Sequence, residues 1–362
     1  MFYYFDDGAK FTSKIEAIKY GLDKKLSPKF YYYDDVYEKL NWTIEPPESL
    51  DFYYKEQAQR IRDNYDYVIL AYSGGYDSSN ILETFHFNDI KLDKIIIVGA
   101  FDQDTHAGAD DNQNGELYHN AFPYVKELGL ESITQVVDYT TLFQDVNNFS
   151  VALYNENWVD EIGAWFSPHN WFWKDVERHV VPKEWKDKKV ALIFGKDKPT
   201  LFYSETGKQI TLADSRTKLN GFCFRDTPCM SYADVGKVEN ITRINFYWDP
   251  ANPDILLKQL HVINHVYEIS CINSYDPSIG VQTLSGININ KIVYNLRKQL
   301  LYKSPKSKDN LLSLRDNYLK EKTNSDVFSL YHSGIKRINR EIGTSNMIPI
   351  PSRFYNIFDK NT

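Results

Sequence analysis

Four short segments rich in β-branched residues predict strands in the first 200 residues of the chain. They are YVILAY at 67–72, KIIIVGA at 94–100, ITQVV at 133–137 and VALIF at 190–194. Helices are predicted between or before them, over residues 50–64, 78–87 and 115–128. Runs such as KIIIVGA and VALIF, apolar at nearly every position, are typical of strands buried on both faces of a sheet.

The alternation of strands and helices predicts an α/β fold, in which a parallel sheet has helices on both faces. Ligands of such sheets bind at the carboxyl ends of the strands. The chain then divides into an aromatic-rich N-terminal section, an α/β domain and a mainly helical C-terminal section, at residues 1–60, 61–210 and 211–362. Further predicted elements are a strand at 30–33 and an amphipathic helix at 253–269.

Composition narrows the class of protein. The chain is 42% hydrophobic and 25% charged, as in globular proteins. No apolar run approaches the length of a membrane-spanning helix, and the N-terminal residues lack the regions of a signal peptide. Three cysteines without regular spacing are typical of a reducing compartment. We therefore expect a cytoplasmic protein that does not contact a membrane.

The chemically most specific segment follows the first predicted strand. It reads Ser-Gly-Gly-Tyr-Asp-Ser-Ser at residues 73–79 and is called the SGG loop below. Its glycines permit backbone conformations that a Cβ would forbid, and consecutive N–H groups at a helix N-terminus bind anions. The hydroxyls of Ser73, Ser78 and Ser79 are further donors, and the Asp77 carboxylate suits Mg²⁺ beside phosphate oxygens. The segment predicts a phosphate-binding site, although a simple connecting turn is the alternative.

The SGG loop resembles the PP-loop, the SGGxDS signature of the N-type ATP pyrophosphatases, a superfamily that includes asparagine synthetase. It is neither a Walker A loop nor a G-x-G-x-x-G segment. The resemblance covers the predicted α/β domain and implies a Rossmann-like, parallel five-stranded-type sheet with helices on both faces. It implies a reaction in which an acceptor oxygen attacks the α-phosphate of ATP, pyrophosphate is lost, and a nucleophile displaces the adenylated intermediate. It also implies that the whole loop binds ATP, through Ser73, Gly74, Gly75, Tyr76, Asp77, Ser78 and Ser79.

A second segment, Gly-Lys-Asp-Lys-Pro, follows the predicted strand VALIF and offers a carboxylate between two ammonium groups. It is loosely similar to the second nucleotide-facing segment of asparagine synthetase-type enzymes, although their Gly-Asp-Gly-x-Asp-Glu run is absent. The resemblance implies that Gly195 and Lys196 contact the nucleotide and that Asp197 joins Asp77 in holding Mg²⁺. Lys198, or else Lys196, would neutralise charge on the leaving group. A plain surface turn remains the alternative.

The exit of the second predicted strand completes the implied nucleotide site. By their position, Val98, Gly99 and Ala100 would meet the adenine, and Asp102 or Asp104 the ribose or a metal. The cofactors implied are ATP and Mg²⁺.

The N-terminus departs from the glutamine-dependent relatives. Those enzymes carry a nucleophilic cysteine directly after the initiating methionine, whereas Phe2 follows Met1 here and the first cysteine is Cys223. We therefore expect the chain to use free ammonia, an amino-group donor or a partner subunit. The sequence does not identify a catalytic base.

The sequence leaves two alternatives for the identity of the acceptor substrate. Residues 291–353 carry 13 Lys/Arg and 5 Asp/Glu, whereas the whole chain has a net charge of −7. Aromatic residues lie among these basic ones, a mixture that suits either a nucleic acid strand or a solvated face. The acceptor is therefore a small molecule or a nucleotide within tRNA or DNA. A non-catalytic ATP-binding module is a third alternative, against which the intact Asp77 argues.

Two further groups of residues, one of cysteines and histidines and one of aromatic residues, each allow two interpretations. Cys223, Cys229 and Cys271, with His261 and His265, could supply zinc ligands, although their spacing is not that of a usual zinc knuckle. The aromatic stretch at residues 166–173 forms either a packing cluster or a segment that closes over a nucleotide.

Overall fold

The computed structural model describes residues 2–99, 115–138, 176–195, 200–202, 221–223, 240–262, 333, 336–342 and 350–356. The strands in these ranges are β1 (Tyr3–Tyr4), β2 (Lys10–Phe11), β3 (Lys29–Phe30), β4 (Tyr67–Ala71), β5 (Lys94–Gly99), β6 (Thr134–Asp138), β7 (Val190–Phe194), β8 (Thr200–Phe202), β9 (Gly221–Cys223), β10 (Ile241–Asn245) and β11 (Tyr355–Asn356). The helices are α1 (Lys14–Lys24), α2 (Asp34–Tyr37), α3 (Leu50–Asn64), α4 (Tyr76–Phe87), α5 (Phe122–Glu127), α6 (Glu177–Val180), α7, which is described over 254–262, and α8, which is described over 336–342.

A five-stranded, all-parallel sheet with flanking helices forms the centre of the fold, which is therefore of the α/β class. The strand order is β6-β5-β4-β7-β10, an order found in Rossmann-like folds. Every residue of β7 is buried, as expected for a central strand covered on both faces. The order reverses between β4 and β7, and such a reversal opens a crevice at the carboxyl ends of the two strands.

The local predictions for this sheet agree with the structure to within a residue or two. The predicted strand at 190–194 and the predicted helix at 50–64 are confirmed at both ends as β7 and α3. Strand β4 ends one residue earlier than predicted, and β6 begins one residue later. The fifth strand, β10, lies beyond residue 210 and thus in the section that the sequence pattern separates from the α/β domain. Its residues pair with β7 along their whole length.

The N-terminal section packs onto the same core as the parallel sheet. Strands β2, β1 and β3 form a small antiparallel sheet, and the buried Tyr37 hydroxyl donates to the carbonyl oxygen of Trp248 at 2.8 Å. The predicted strand at 30–33 is wrong beyond Phe30. Strand β3 ends at Phe30, and Tyr33 has a left-handed φ of 47°, which is not an extended conformation. Tyr33 is the N-cap of α2.

Described residues after 210 include β9, β10, β11 and part of α7. Strands β11, β9 and β8 form a three-stranded antiparallel sheet. On α7, Ile255, Leu256 and Leu260 are buried, as the amphipathic pattern predicts. A mainly helical C-terminal section stays a prediction. Among the helices that the structure describes, none combines the length and the apolarity needed to cross a membrane.

Asp93 links the start of β5 to its neighbours, and its replacement by asparagine should destabilise the fold. Its carboxylate accepts from Arg62 at 2.5 Å, Lys91 at 2.7 Å and the Val68 N–H at 2.8 Å. Burial alone would raise the pKa of Asp93, but the hydrogen bonds from Lys91 and Arg62 outweigh it and lower that pKa. A carboxyl whose pKa is lower in the folded state stabilises the fold above its unfolded-state pKa, and that stability is lost in acid.

We expect Asp93→Asn to lower the free energy of unfolding at pH 7 by about 2 kcal/mol, because a charged hydrogen-bonding partner is lost. Urea unfolding between pH 7 and pH 3 measures this, and the difference between wild type and variant should shrink as pH falls. Asp63→Asn is the control, since Asp63 is exposed. A difference that is constant across this pH range would contradict the prediction.

Candidate functional site

The SGG loop lies at the carboxyl end of β4, where the strand order reverses. Helix α4 begins at Tyr76, with Gly75 as its N-cap, and not at Ser78 as the sequence pattern predicts. Gly75 has the extended φ and ψ of an N-cap residue, and its carbonyl accepts from the Ser79 N–H at 2.7 Å. Asp77 therefore stands within the first helical turn and is half-buried. First-turn N–H groups have no acceptor within the helix itself, so this end attracts anions.

Gly74 is required by both its conformation and its surroundings. Its φ is +75°, a value that residues other than glycine rarely adopt. A Cβ at this position would lie 2.8 Å from the backbone nitrogen of Ala121. Ala121 ends a π-helical turn, Leu117–Ala121, that precedes α5. Such turns within helices occur frequently at functional sites, and this one packs directly against the SGG loop.

All three loop serines use their hydroxyls to hold the loop itself. The Ser78 hydroxyl donates to the carbonyl of Gly75 at 3.1 Å and accepts from the Ser73 N–H at 3.3 Å. The Ser79 hydroxyl lies 3.3 Å from the hydroxyl of Tyr72. The Ser73 hydroxyl accepts from the Gly75 N–H at 3.2 Å and lies 3.2 Å from the Ser78 hydroxyl. Ser78 and Ser79 are buried, whereas Ser73 is exposed, so its hydroxyl is the one within reach of solvent.

Gly195, the first residue after β7, reaches the SGG loop. A Cβ on Gly195 would lie 2.9 Å from the carbonyl carbon of Asp77 and 2.9 Å from the backbone nitrogen of Ser78. The ends of two neighbouring parallel strands therefore meet at the first turn of α4. Lys196, Asp197 and Lys198, which follow Gly195, lie outside the described residues.

Tyr247 contacts the same helical turn and was not indicated by the sequence. Its hydroxyl donates to the carbonyl of Asp77 at 2.6 Å and accepts from the side-chain amide of Asn80 at 3.1 Å. The side chain is fully buried, and burial raises the pKa of Tyr247 well above its usual value. The hydroxyl therefore stays protonated and remains a donor. The available signal was the pattern ITRINFYW, which is typical of a strand and its exit.

Buried polar groups continue from the loop along α4. Burial raises the pKa of Tyr72 to about 12, which keeps its hydroxyl protonated beside Ser79. One helical turn further on, the buried carboxylate of Glu83 accepts from the Tyr124 hydroxyl at 2.6 Å. The side of α4 that faces the core thus carries hydrogen-bonded polar groups close to the loop.

The remaining residues of the predicted nucleotide site are only partly described. Val98 and Gly99 are buried at the end of β5 and extend past the pairing of Ala71 with Ile96, next to the loop. Ala100, Asp102 and Asp104 lie outside the described residues. Within the described ranges, no three His, Cys, Asp or Glu side chains are grouped closely enough to hold a metal.

Basic residues at the C-terminal end of the described chain form ion pairs with carboxylates. Arg337, Arg340 and Lys19 lie 3.0, 3.6 and 3.3 Å from the carboxylate of Glu341. Arg353 pairs with Glu38 of the N-terminal section. These pairs give several of the basic positions a structural explanation that requires no nucleic acid. Most of the basic segment at 291–353 is outside the described ranges.

The possible zinc ligands are described only in part. The ring nitrogen Nε2 of the buried His261 lies 3.0 Å from the carbonyl oxygen of Trp42, a hydrogen bond that accounts for its position. Cys229, Cys271 and His265 lie outside the described residues.

A groove of about 530 Å³ lies at the opposite end of α4 from the SGG loop. A helix of 12 residues is about 18 Å long, so the groove is not part of the site at the loop. Its lining is mainly apolar and includes Leu82, Phe85, Ile90, Leu92, Leu130 and Ile133.

No family model matches the chain, and none of the curated proteins matches it significantly. The interpretation of the site therefore depends on its own residues and geometry.

Proposed function

We propose that the chain is an ATP-dependent adenylating enzyme of the PP-loop type. It would activate a carboxylate or carbonyl oxygen of its acceptor, release pyrophosphate and AMP, and form an amide or amine. The observation that carries the proposal is the SGG loop, which stands at the N-terminus of a 12-residue helix and at the reversal point of a parallel sheet. Such a position combines converging N–H donors, a helix dipole and a crevice between strands.

The residues of the loop suit the pyrophosphate part of ATP. The absent Cβ of Gly74 lets the backbone curve tightly, and the first turn of α4 presents its N–H groups towards an anion. The exposed Ser73 hydroxyl is a further donor. Together these groups would bind the leaving pyrophosphate more tightly as its negative charge increases, which lowers the barrier to its departure.

The donor set fits Mg²⁺ as the accompanying ion. Mg²⁺ prefers oxygen ligands and is commonly held by one or two carboxylates together with substrate phosphates. Asp77 supplies one carboxylate in the first turn of α4, and Asp197 would supply the second. The ion, when bound, would neutralise charge on the phosphates. Lys198, or else Lys196, would add positive charge at the leaving group.

An odd number of cysteines without regular spacing favours a reducing compartment, so we propose that the reaction takes place in the cytoplasm. The acceptor is proposed as a small molecule, because several C-terminal basic residues are already paired with carboxylates. Ammonia or another amine would be the final nucleophile.

The reaction type is tested with ATP labelled at the α-phosphate. Incubation with Mg²⁺, ammonia and a panel of carboxylates, nucleosides and oligonucleotides should yield labelled AMP and an equal amount of pyrophosphate. Labelled ADP as the sole product would contradict α-phosphate chemistry. Binding of ATP without turnover on any acceptor would favour the non-catalytic alternative. Turnover on oligonucleotides alone would identify the nucleic acid acceptor.

Asp77→Asn should largely abolish turnover while the protein stays folded, because the neutral amide is a much weaker Mg²⁺ ligand than the carboxylate. We expect product formation to fall by at least about 100-fold. Asp89→Asn is the matched control, since Asp89 is exposed beyond the other end of α4 and has a left-handed φ of 57° that asparagine tolerates. Thermal unfolding of both variants establishes that they are folded. Unchanged turnover in Asp77→Asn would remove the proposed metal role.

A further inference from the structure

The first turn of α4 is contacted by two residues that follow the ends of neighbouring strands. Gly195, after β7, approaches the backbone of Asp77 and Ser78 so closely that no Cβ fits. Tyr247, two residues after β10, donates its hydroxyl hydrogen to the carbonyl of Asp77 at 2.6 Å. The segment that carries the Asp77 carboxylate is thus fixed by tertiary contacts as well as by its own helix.

The Tyr247 side chain is itself firmly oriented. It is fully buried, and its ring packs edge-on against Tyr54 of α3, with 5.6 Å between ring centroids. Asn80, one turn along α4, donates its amide to the same hydroxyl at 3.1 Å. Tyr247 therefore contacts α4 at two successive turns, through the carbonyl of Asp77 and the side chain of Asn80. A hydroxyl held in this way has one direction in which to donate, and that direction is the Asp77 carbonyl.

We propose that Tyr247 is a positioning residue of the nucleotide site, whose hydrogen bond to the Asp77 carbonyl orients the first turn of α4 and its carboxylate towards a magnesium-bound polyphosphate. This inference rests on the proposed function, because it assigns Tyr247 a role at that same site. Tyr247 does not touch the ligand. It acts by fixing the main chain of Asp77, and with it the N–H groups of the loop, before the ligand binds.

Preorganisation of this kind affects affinity in a measurable way. A loop that already has its bound conformation loses less conformational entropy when it closes on a ligand than a loop that must be ordered first. Removing one buried hydrogen bond to a main-chain carbonyl costs about 1 kcal/mol, and a tenfold change in affinity corresponds to about 1.4 kcal/mol. We therefore expect the loss of the Tyr247 hydroxyl to weaken ligand binding about fivefold.

The test compares Tyr247→Phe with Tyr54→Phe. Both changes remove one buried hydroxyl and keep the ring, and the Tyr54 hydroxyl accepts from the side-chain amide of Gln259 on α7 at 2.9 Å. Calorimetry measures binding of α,β-methylene ATP with Mg²⁺, an analogue that cannot be cleaved at the α-phosphate. Thermal unfolding measures stability, and hydrogen exchange of the ligand-free proteins measures how firmly residues 73–81 are held.

We expect both variants to lose stability, and only Tyr247→Phe to bind the analogue about fivefold more weakly and to exchange faster at residues 73–81. If Tyr247→Phe binds as tightly as wild type, the inference is overturned and the proposed function stands. The inference is also overturned if Tyr54→Phe weakens binding equally, because the effect would then be one of general stability. If wild type fails to bind the analogue, the proposed function falls, and the positioning role falls with it.

Discussion

Replacing Gly74 by alanine is expected to destabilise the protein and to remove nucleotide binding. The new Cβ would meet the backbone nitrogen of Ala121 at 2.8 Å, and neither backbone segment moves without displacing the π-helical turn or the loop. The left-handed φ of +75° adds about 1–2 kcal/mol of strain, and overpacking adds about 1–3 kcal/mol. We expect the free energy of unfolding to fall by about 3 kcal/mol or more, and binding of α,β-methylene ATP to become undetectable.

Gly129→Ala separates the two causes. Gly129 also has a left-handed φ, +67°, but a Cβ there would meet nothing within 4 Å. This control should cost only the strain of the conformation, about 1 kcal/mol, and leave nucleotide binding unchanged. Urea unfolding and calorimetry on the two variants provide the comparison. Equal effects on stability would show that the close approach of Ala121 to the loop does not matter.

Replacing Arg243 by alanine should have the second large effect. This effect concerns the stability of the fold alone. Arg243 on β10 and Glu177 on α6 form a two-pronged ion pair, in which the Arg243 Nη2 donates to the carboxylate at 2.6 Å. Only 4% of each side chain is exposed. Arg243→Ala would leave the Glu177 carboxylate buried without this partner, and breaking such a pair costs about 3–5 kcal/mol. Urea unfolding should show a fall in this range.

An exposed pair in the same chain is the control for this prediction. Arg353 and Glu38 also pair, but 43% and 48% of their side chains are exposed. Arg353→Ala should cost less than about 1 kcal/mol, because water and salt screen the attraction and the freed carboxylate is solvated. Replacing Arg243 and Glu177 together by apolar residues of similar size should cost less than Arg243→Ala, since no buried charge then remains. A small effect of Arg243→Ala would contradict the argument.

The polar groups around the SGG loop serve both stability and the proposed function. Ser78, Tyr72 and Tyr247 hold the loop through hydrogen bonds within the protein, and Gly74 and Gly195 allow close approach of neighbouring segments. A loop fixed in this way can bind a phosphate without a large loss of conformational entropy. The same rigidity explains why small changes around it should have measurable effects on affinity.

Much of the fold could be predicted from local sequence patterns. The apolar run VALIF predicts β7 at its observed ends, and the periodic segment at 50–64 predicts α3. Strand β10 has a weaker local signal, because only two of the five residues of ITRIN at this sheet edge are apolar and they do not alternate with polar ones. The start of α4 differs by two residues, because Gly75 takes the extended conformation of an N-cap, which no preference of the neighbouring residues reveals.

The sequence by itself determined the α/β alternation, the place of the SGG loop between a strand and a helix, and the candidate chemistry of its residues. These are local properties, since periodicity and a short motif involve residues close together in the chain. Only the tertiary structure decided that β4 and β7 are neighbours, that Gly195 meets Asp77, and that Tyr247 holds the same helical turn. Those contacts depend on the order of strands in the sheet, which joins residues that are far apart in the chain and carry no shared local pattern.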